Sequence, residues 1–153
     1  MRQLIYISRA TRTLEFHEEA AILATARTCN QETGVTGVLL AKDRQFFQLL
    51  EGEHDTLEGT YRRIARDPRH IDLTILYDGE TDEQRLFGSW RMGFVHLTSA
   101  EYAAGEGLLP NDDRSFAKVV AAAAPCSKPA LILHEFWKAN HALIMPQQGT
   151  KAS

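Results

Sequence analysis

This sequence is short of the features that usually announce a function. Only two cysteines, Cys29 and Cys126, occur in 153 residues. They fit no metal-ligand spacing and no disulfide framework, so the expected setting is reduced and cytoplasmic. No apolar run is long: Leu4-Ile5-Tyr6-Ile7, near the N-terminus, is too brief for a signal-peptide core or a membrane span. A formal charge of −3 offers no general attraction to nucleic acid or to an anionic membrane. The histidines, at 17, 54, 70, 96, 134 and 141, are dispersed, and none marks a metal site. A Gly-rich phosphate loop, a His-Glu metalloprotease helix and a nucleophile elbow are all missing, which points away from an enzyme.

What remains is an ordinary globular composition, 44% hydrophobic and 24% charged, with no internal repeat or low-complexity linker. One domain is expected. Leu4 to Ser8 reads as a strand with Leu4, Tyr6 and Ser8 on one face and Ile5 and Ile7 on the other, so both faces need cover. Helix character begins near Leu14, with Ile22, Ala26 and Asn30 spaced along one side. Asn30 is then either a helix stop or a polar group placed for a purpose.

Gly34 and Gly37 bracket Val35-Thr36 and admit close backbone approach, and two β-rich runs follow, joined by Ala41-Lys42-Asp43-Arg44. Asp55 is the expected N-cap of a second helix that runs to about Asp67 and stops at Pro68. Ile71 to Tyr77 reads as a strand closed by an acidic loop over 78–83, and Met92 to Leu97 as a last short strand. The order strand, helix, strand, strand, helix, strand, strand is that of an α+β, ferredoxin-like βαββαββ sandwich. Its mixed five-stranded sheet would carry two helices on one face. Ser115 to Ala124 and a helix begun by Ser127-Lys128-Pro129 would form a C-terminal helical pair on the other, and 146–153 a flexible tail.

Gln48 is the anomaly, a primary amide inside Phe46-Phe47-Gln48-Leu49-Leu50. A buried amide costs about 1–3 kcal/mol for each group left unpaired, so something polar must meet it, either neighbouring backbone or a ligand with a hydrogen-bonding edge. In the sketched fold the first and third strands are central neighbours. Tyr6 can therefore lie beside Gln48 beneath the helices, and a phenol next to an amide is a hydrogen-bonded relay.

Leu4-Ile5-Tyr6-Ile7-Ser8, Asn30 with Gly34-Val35-Thr36-Gly37-Val38-Leu39-Leu40, Phe46-Phe47-Gln48-Leu49-Leu50-Glu51-Gly52, Asp67-Pro68-Arg69-His70 and Ser89-Trp90-Arg91-Met92, taken together, closely resemble the BLUF family of flavin-binding blue-light sensors. The resemblance runs from about Leu4 to Leu97. It implies a photosensory core over 1–98 with a helical cap over 99–145, and FAD as cofactor, with FMN or riboflavin as other possible forms. It further implies that Tyr6 gives an electron and a proton to the excited flavin and that Gln48 bonds both the tyrosine and the ring. Asn30 would bond the polar edge of the ring, and Ile22 would contact it. Arg69 and His70 match the outer part of the site, Arg63 and Arg66 could reach phosphates, and Trp90 and Met92 match the family's mobile signalling pair. Cys29 departs from the pattern, standing where a histidine or asparagine is frequent beside the flavin.

The resemblance implies a blue-light photoreceptor that is not itself an enzyme. The chain after Leu97 is too short for a nucleotide cyclase or a phosphodiesterase, and the signal is expected to leave through the C-terminal region to an unidentified downstream protein or through homo-oligomerisation. Nucleic acid and membrane are not expected partners. The alternatives are a non-photochemical flavoprotein and a ferredoxin-like binding module. An acylphosphatase would need glycines that Ser8-Arg9-Ala10-Thr11 lacks, and an RNA-binding module would need an open, basic sheet face.

Overall fold

The computed structural model describes residues 1–88, 91–96 and 112–144. Strand β1 spans Arg2–Ala10, helix α1 Phe16–Thr33, β2 Thr36–Lys42, β3 Gln45–Gly52, α2 His54–Ala65, β4 His70–Glu80 and β5 Gly93–His96. Helices α3, Asp112–Ala123, and α4, Lys128–Ile144, follow. The strands lie in the order β4-β1-β3-β2-β5. Every neighbouring pair is antiparallel except β2 and β5, which run parallel, so the sheet is mixed and the ferredoxin-like α+β sandwich stands. Trp90, the segment 97–111 and the tail over 146–153 lie outside the described residues.

Alternation along β1 builds both layers. Leu4 and Tyr6 face the side of α1 and α2, packing in one cluster with Leu23, Leu39, Leu50 and Leu57. Ile5 and Ile7 face the other way and meet Phe47, Leu49 and Phe87, together with Val120 of α3 and Leu133 of α4. Each such aliphatic side chain, fully removed from water, contributes about 1.5–3 kcal/mol, which holds the C-terminal pair on the second face. The Ser127 hydroxyl accepts from the Ala130 amide at 3.3 Å and caps α4 as the sequence indicated.

Several boundaries differ from the sequence reading. The β2–β3 ladder continues to Lys42 opposite Gln45, leaving a two-residue turn, Asp43-Arg44, in place of a four-residue connection. Asp43 takes a left-handed conformation there, with φ 54°. Helix α1 starts at Phe16 after Glu15, and it is Gly34, with φ 75° and its amide on the Asn30 carbonyl, that ends it; Asn30 is not the stop. Glu53, not Asp55, caps α2, and Asp55 sits in the first turn, where the helix dipole favours its charge.

The acidic segment expected as a loop is partly strand, because β4 runs on to Glu80. The reason is tertiary: the buried Arg2 guanidinium takes the Asp78 carboxylate through Nε and Nη2 at 2.8 and 2.9 Å and reaches Glu58 of α2 at 2.6 Å. This clasp ties β1, β4 and α2 together. A second one closes the same end of the sheet one residue along β1, where buried Glu51, opposite Gln3 in the β1–β3 ladder, accepts from the Gln3 amide at 2.9 Å and from the backbone of Leu86 and Phe87 at 2.9 and 2.8 Å.

Against β1, β4 slips register twice, between Ile5 and Tyr6 and between Ile7 and Arg9. Each slip is a bulge that reverses side-chain parity, so Leu73 packs on the α1–α2 side while Tyr77 packs on the α3–α4 side. Tyr6 lies between the two bulges.

Glu19 of α1 is buried, and burial pushes its carboxyl from an ordinary 4.5 up to about 7. The folded chain therefore keeps a proton there that the unfolded chain has already released, and stability falls as pH rises from about 4.5 through 7. Glu18, Glu58, Asp67 and Asp78 are held below the usual carboxylate range by arginine neighbours and titrate beneath that window. Thermal unfolding should give a lower Tm at pH 8 than at pH 5, and Glu19→Gln should shrink the difference. An unchanged difference would remove this reading of Glu19.

Candidate flavin site

Between α1, α2 and the central strands lies a cavity of about 330 Å³, in the size range of small-molecule sites. Tyr6, Ile22, Asn30, Gln48, Arg63, Arg66, Arg69, His70 and Met92 all line it. Residues scattered over almost ninety positions are thus brought to one space. Sequence reasoning missed Thr25, Phe46, Thr60 and Asp67, which also line it. Thr60 carried a usable signal, since it lies three and four residues before Arg63 and Ile64 on one side of α2. Phe46 had none beyond its strand parity with Gln48.

The register of the β1–β3 ladder sets Tyr6 directly opposite Gln48. The Tyr6 hydroxyl donates to Gln48 Oε1, and Gln48 Nε2 donates to Met92 Sδ at 3.1 Å. The amide is therefore met by side chains and not by neighbouring backbone. Its acceptor takes the phenolic hydrogen bond, while its donor meets a thioether, a weak acceptor with no proton of its own. Tyr6, Gln48 and Met92 are each at most 4% exposed. Burial, with smaller contributions from Tyr61 and Asp67, raises the Tyr6 phenol above its ordinary pKa, so the hydroxyl is neutral over the whole physiological range. Tyr61 meets the Tyr6 ring edge-on, with centroids 6.0 Å apart.

Asn30 is buried at the last turns of α1, and its Nδ2 donates to the Arg91 carbonyl at 2.5 Å. It links the cavity wall to the segment leading into β5. His70 lines the cavity with both ring nitrogens engaged: Nδ1 lies 3.1 Å from the Ser8 hydroxyl and Nε2 2.7 Å from the Ile64 carbonyl. Arg69 is folded onto Asp67, whose carboxyl it holds below the usual range. Arg63 of α2 and Arg66, the residue that caps its C-terminus, border the cavity with no ion-pair partner among the described residues. Cys29, partly exposed, and Cys126, exposed, are free thiols.

A planar aromatic ligand with a polar edge fits this donor set: apolar walls from Ile22, Leu39 and Leu50, two primary amides, and two cations toward the solvent side. The fold and site define an α+β sandwich whose cavity, walled in part by a buried phenol–amide pair, suits a small aromatic cofactor. The chain belongs to the BLUF family, sensors of blue light using FAD, whose profile it matches over residues 1–93. It is a blue-light sensor that binds flavin.

It is 34% identical over 124 residues to the photoactivated adenylate cyclase subunit beta of Euglena gracilis, an alignment covering 78% of this chain and 14% of that protein. The chain thus spans only a small part of such relatives. Among solved structures, BlsA in its ground state is 34% identical with a TM-score of 0.59, over 62% of this chain and 64% of that one. Its photo-activated state superposes over 96% of both chains with a TM-score of 0.62 at 24% identity, a likeness of fold alone. Klebsiella pneumoniae BlrP1, solved with FMN and cyclic diGMP, is 28% identical with a TM-score of 0.57 over 82% of this chain and 36% of that one. Among the described residues no helix is long and apolar enough to cross a membrane.

Proposed function

We propose that this chain works as a reversible light switch in which Tyr6 and Gln48 are the photochemical relay and Met92 and Trp90 carry the change outward. The hydrogen-bonded series Tyr6, Gln48, Met92 is the observation that supports it. Bound flavin supplies the blue absorption and an excited state able to oxidise a phenol. Tyr6 holds its proton on Oη against Gln48 Oε1 in a buried setting, where an isolated charge is expensive. An electron leaving its ring is therefore accompanied by that proton, and Oε1 is the acceptor in reach. On its return the amide is left rotated or in its imidic tautomer, with its hydrogen bonds changed.

FAD is the proposed form of the cofactor, with Asn30 on the polar edge of its ring, Ile22 against its face, Arg69 and His70 at its outer part and Arg63 and Arg66 toward its phosphates. Residues 1–98 are the proposed sensory core and 99–145 the cap through which the signal passes. Phe47, next to Gln48 in β3 but facing the other way, stacks on Phe136 of α4 with centroids 4.1 Å apart, which supports an output across the sheet. The proposed recipient is a separate protein in the cytoplasm or a second copy of this chain, with no enzymatic activity in the chain itself.

Colour tests the reading. Purified protein should be yellow, and blue light should move its flavin band to longer wavelength, reversibly in darkness. Hydrogen exchange in α4 should differ between the two states. Protein that stays colourless after flavin addition would overturn the reading, and equal exchange in dark and light would remove the output route.

A further inference from the structure

Helix α1 reaches the start of β5 at two consecutive residues. Asn30 Nδ2 donates to the Arg91 carbonyl, and Arg27 Nε donates to the Met92 carbonyl at 2.9 Å. Asn30 lines the cavity; Arg27, one helical turn earlier, does not. The residue whose backbone Arg27 holds is the one whose sulfur receives the Gln48 amide.

We propose that Arg27 is a positioning residue for the glutamine switch, fixing the Met92 backbone so that its thioether stays against Gln48. This rests on the photochemical reading above, in the form that leaves the Gln48 amide rotated. A thioether accepts hydrogen bonds and donates none. While Met92 is held in place, Gln48 is favoured with Nε2 toward the sulfur, and a rotated amide would turn Oε1 onto sulfur lone pairs. The clasp therefore disfavours the rotated amide and shortens its life in the dark. If Met92 is loosened, the sulfur can withdraw and the rotated state lasts longer.

The geometry allows a clean substitution pair. In Arg27→Gln, the amide nitrogen occupies the place of Nε and keeps a donor for the Met92 carbonyl. In Arg27→Met, a methyl group stands there instead. Arg27→Lys keeps the charge but also has a methylene at that position.

The experiment is dark recovery of the red-shifted band after blue light, in the flavin-loaded full chain. Arg27→Met and Arg27→Lys should each recover about two- to tenfold more slowly, the factor expected for losing one ordinary hydrogen bond. Arg27→Gln should recover near the unsubstituted rate. In a Met92→Leu background, Arg27→Met should change nothing further, because no thioether remains to be positioned. Unchanged recovery in both Arg27→Met and Arg27→Lys, slow recovery in Arg27→Gln, or slowing that persists beside Met92→Leu would each overturn the proposal. No shift in the unsubstituted protein would instead strike at the photochemical reading itself.

Discussion

Tyr6→Phe should give a protein that still loads flavin but whose absorption band stays fixed under blue light. The substitution removes one oxygen and leaves the ring, so the packing against Tyr61 and the cavity wall persists. What disappears is the hydroxyl that donates to Gln48 Oε1, and with it both the oxidisable phenol and the proton that must accompany the electron. Gln48→Leu should have the same optical result for a different reason: Tyr6 could still be oxidised, but no amide is present to take the proton or rotate. Steady-state absorption before and after illumination decides both. A normal shift in either variant would leave the flavin site standing and remove the relay. Each variant also leaves a buried polar group without its partner, so unfolding should show a loss of about 1–3 kcal/mol, too little to abolish folding of an ordinary domain.

Gly37→Ala is expected to have the largest effect on stability. A Cβ built at this position lies 2.0 Å from the Leu49 carbonyl oxygen and 3.0 Å from its carbon, backbone atoms that have no rotamer to escape into. Gly37 also has φ 157°, where a side chain adds strain. Relief would require β2 to move away from β3, and Leu39 stands opposite Gln48 two residues further on. The cost should exceed about 3 kcal/mol, a large part of the roughly 5–15 kcal/mol that holds a domain of this size. Gly59 provides the contrast. It sits exposed inside α2 with nothing within 4 Å of its built Cβ, so Gly59→Ala should stabilise by about 0.5–1 kcal/mol. Urea unfolding with flavin retention measures all three proteins, and a Gly37→Ala variant as stable as its parent would show that the β2–β3 spacing is not fixed by this contact.

The two glycines of the Gly34-Val35-Thr36-Gly37 segment show what could be read in advance. Both invited the expectation of close backbone approach, but only Gly37 meets another strand; Gly34 serves a left-handed turn in open space. Composition and spacing named glycine as the permissive residue at both positions. Which permission was used depended on what arrived from elsewhere in the chain.

The same division runs through the whole protein. Alternation in β1, the apolar sides of the helices and the order of elements fixed the fold class and the two buried faces, because a side chain's face follows from local geometry alone. Gln48 stood out as an amide in an apolar strand, while Tyr6 and Asn30 became candidate site residues through the resemblance to the BLUF pattern. Only tertiary structure decided who their partners are. Strand register set Tyr6 against Gln48, forty-two residues away, and the placement of β5 brought the Met92 sulfur to the amide and its carbonyl to Arg27. The bulges that reverse parity along β4, and the Arg2 clasp that turned an acidic loop into strand, likewise answer to contacts between distant segments. No local pattern encodes such contacts, since they exist only once the sheet has chosen its order and register.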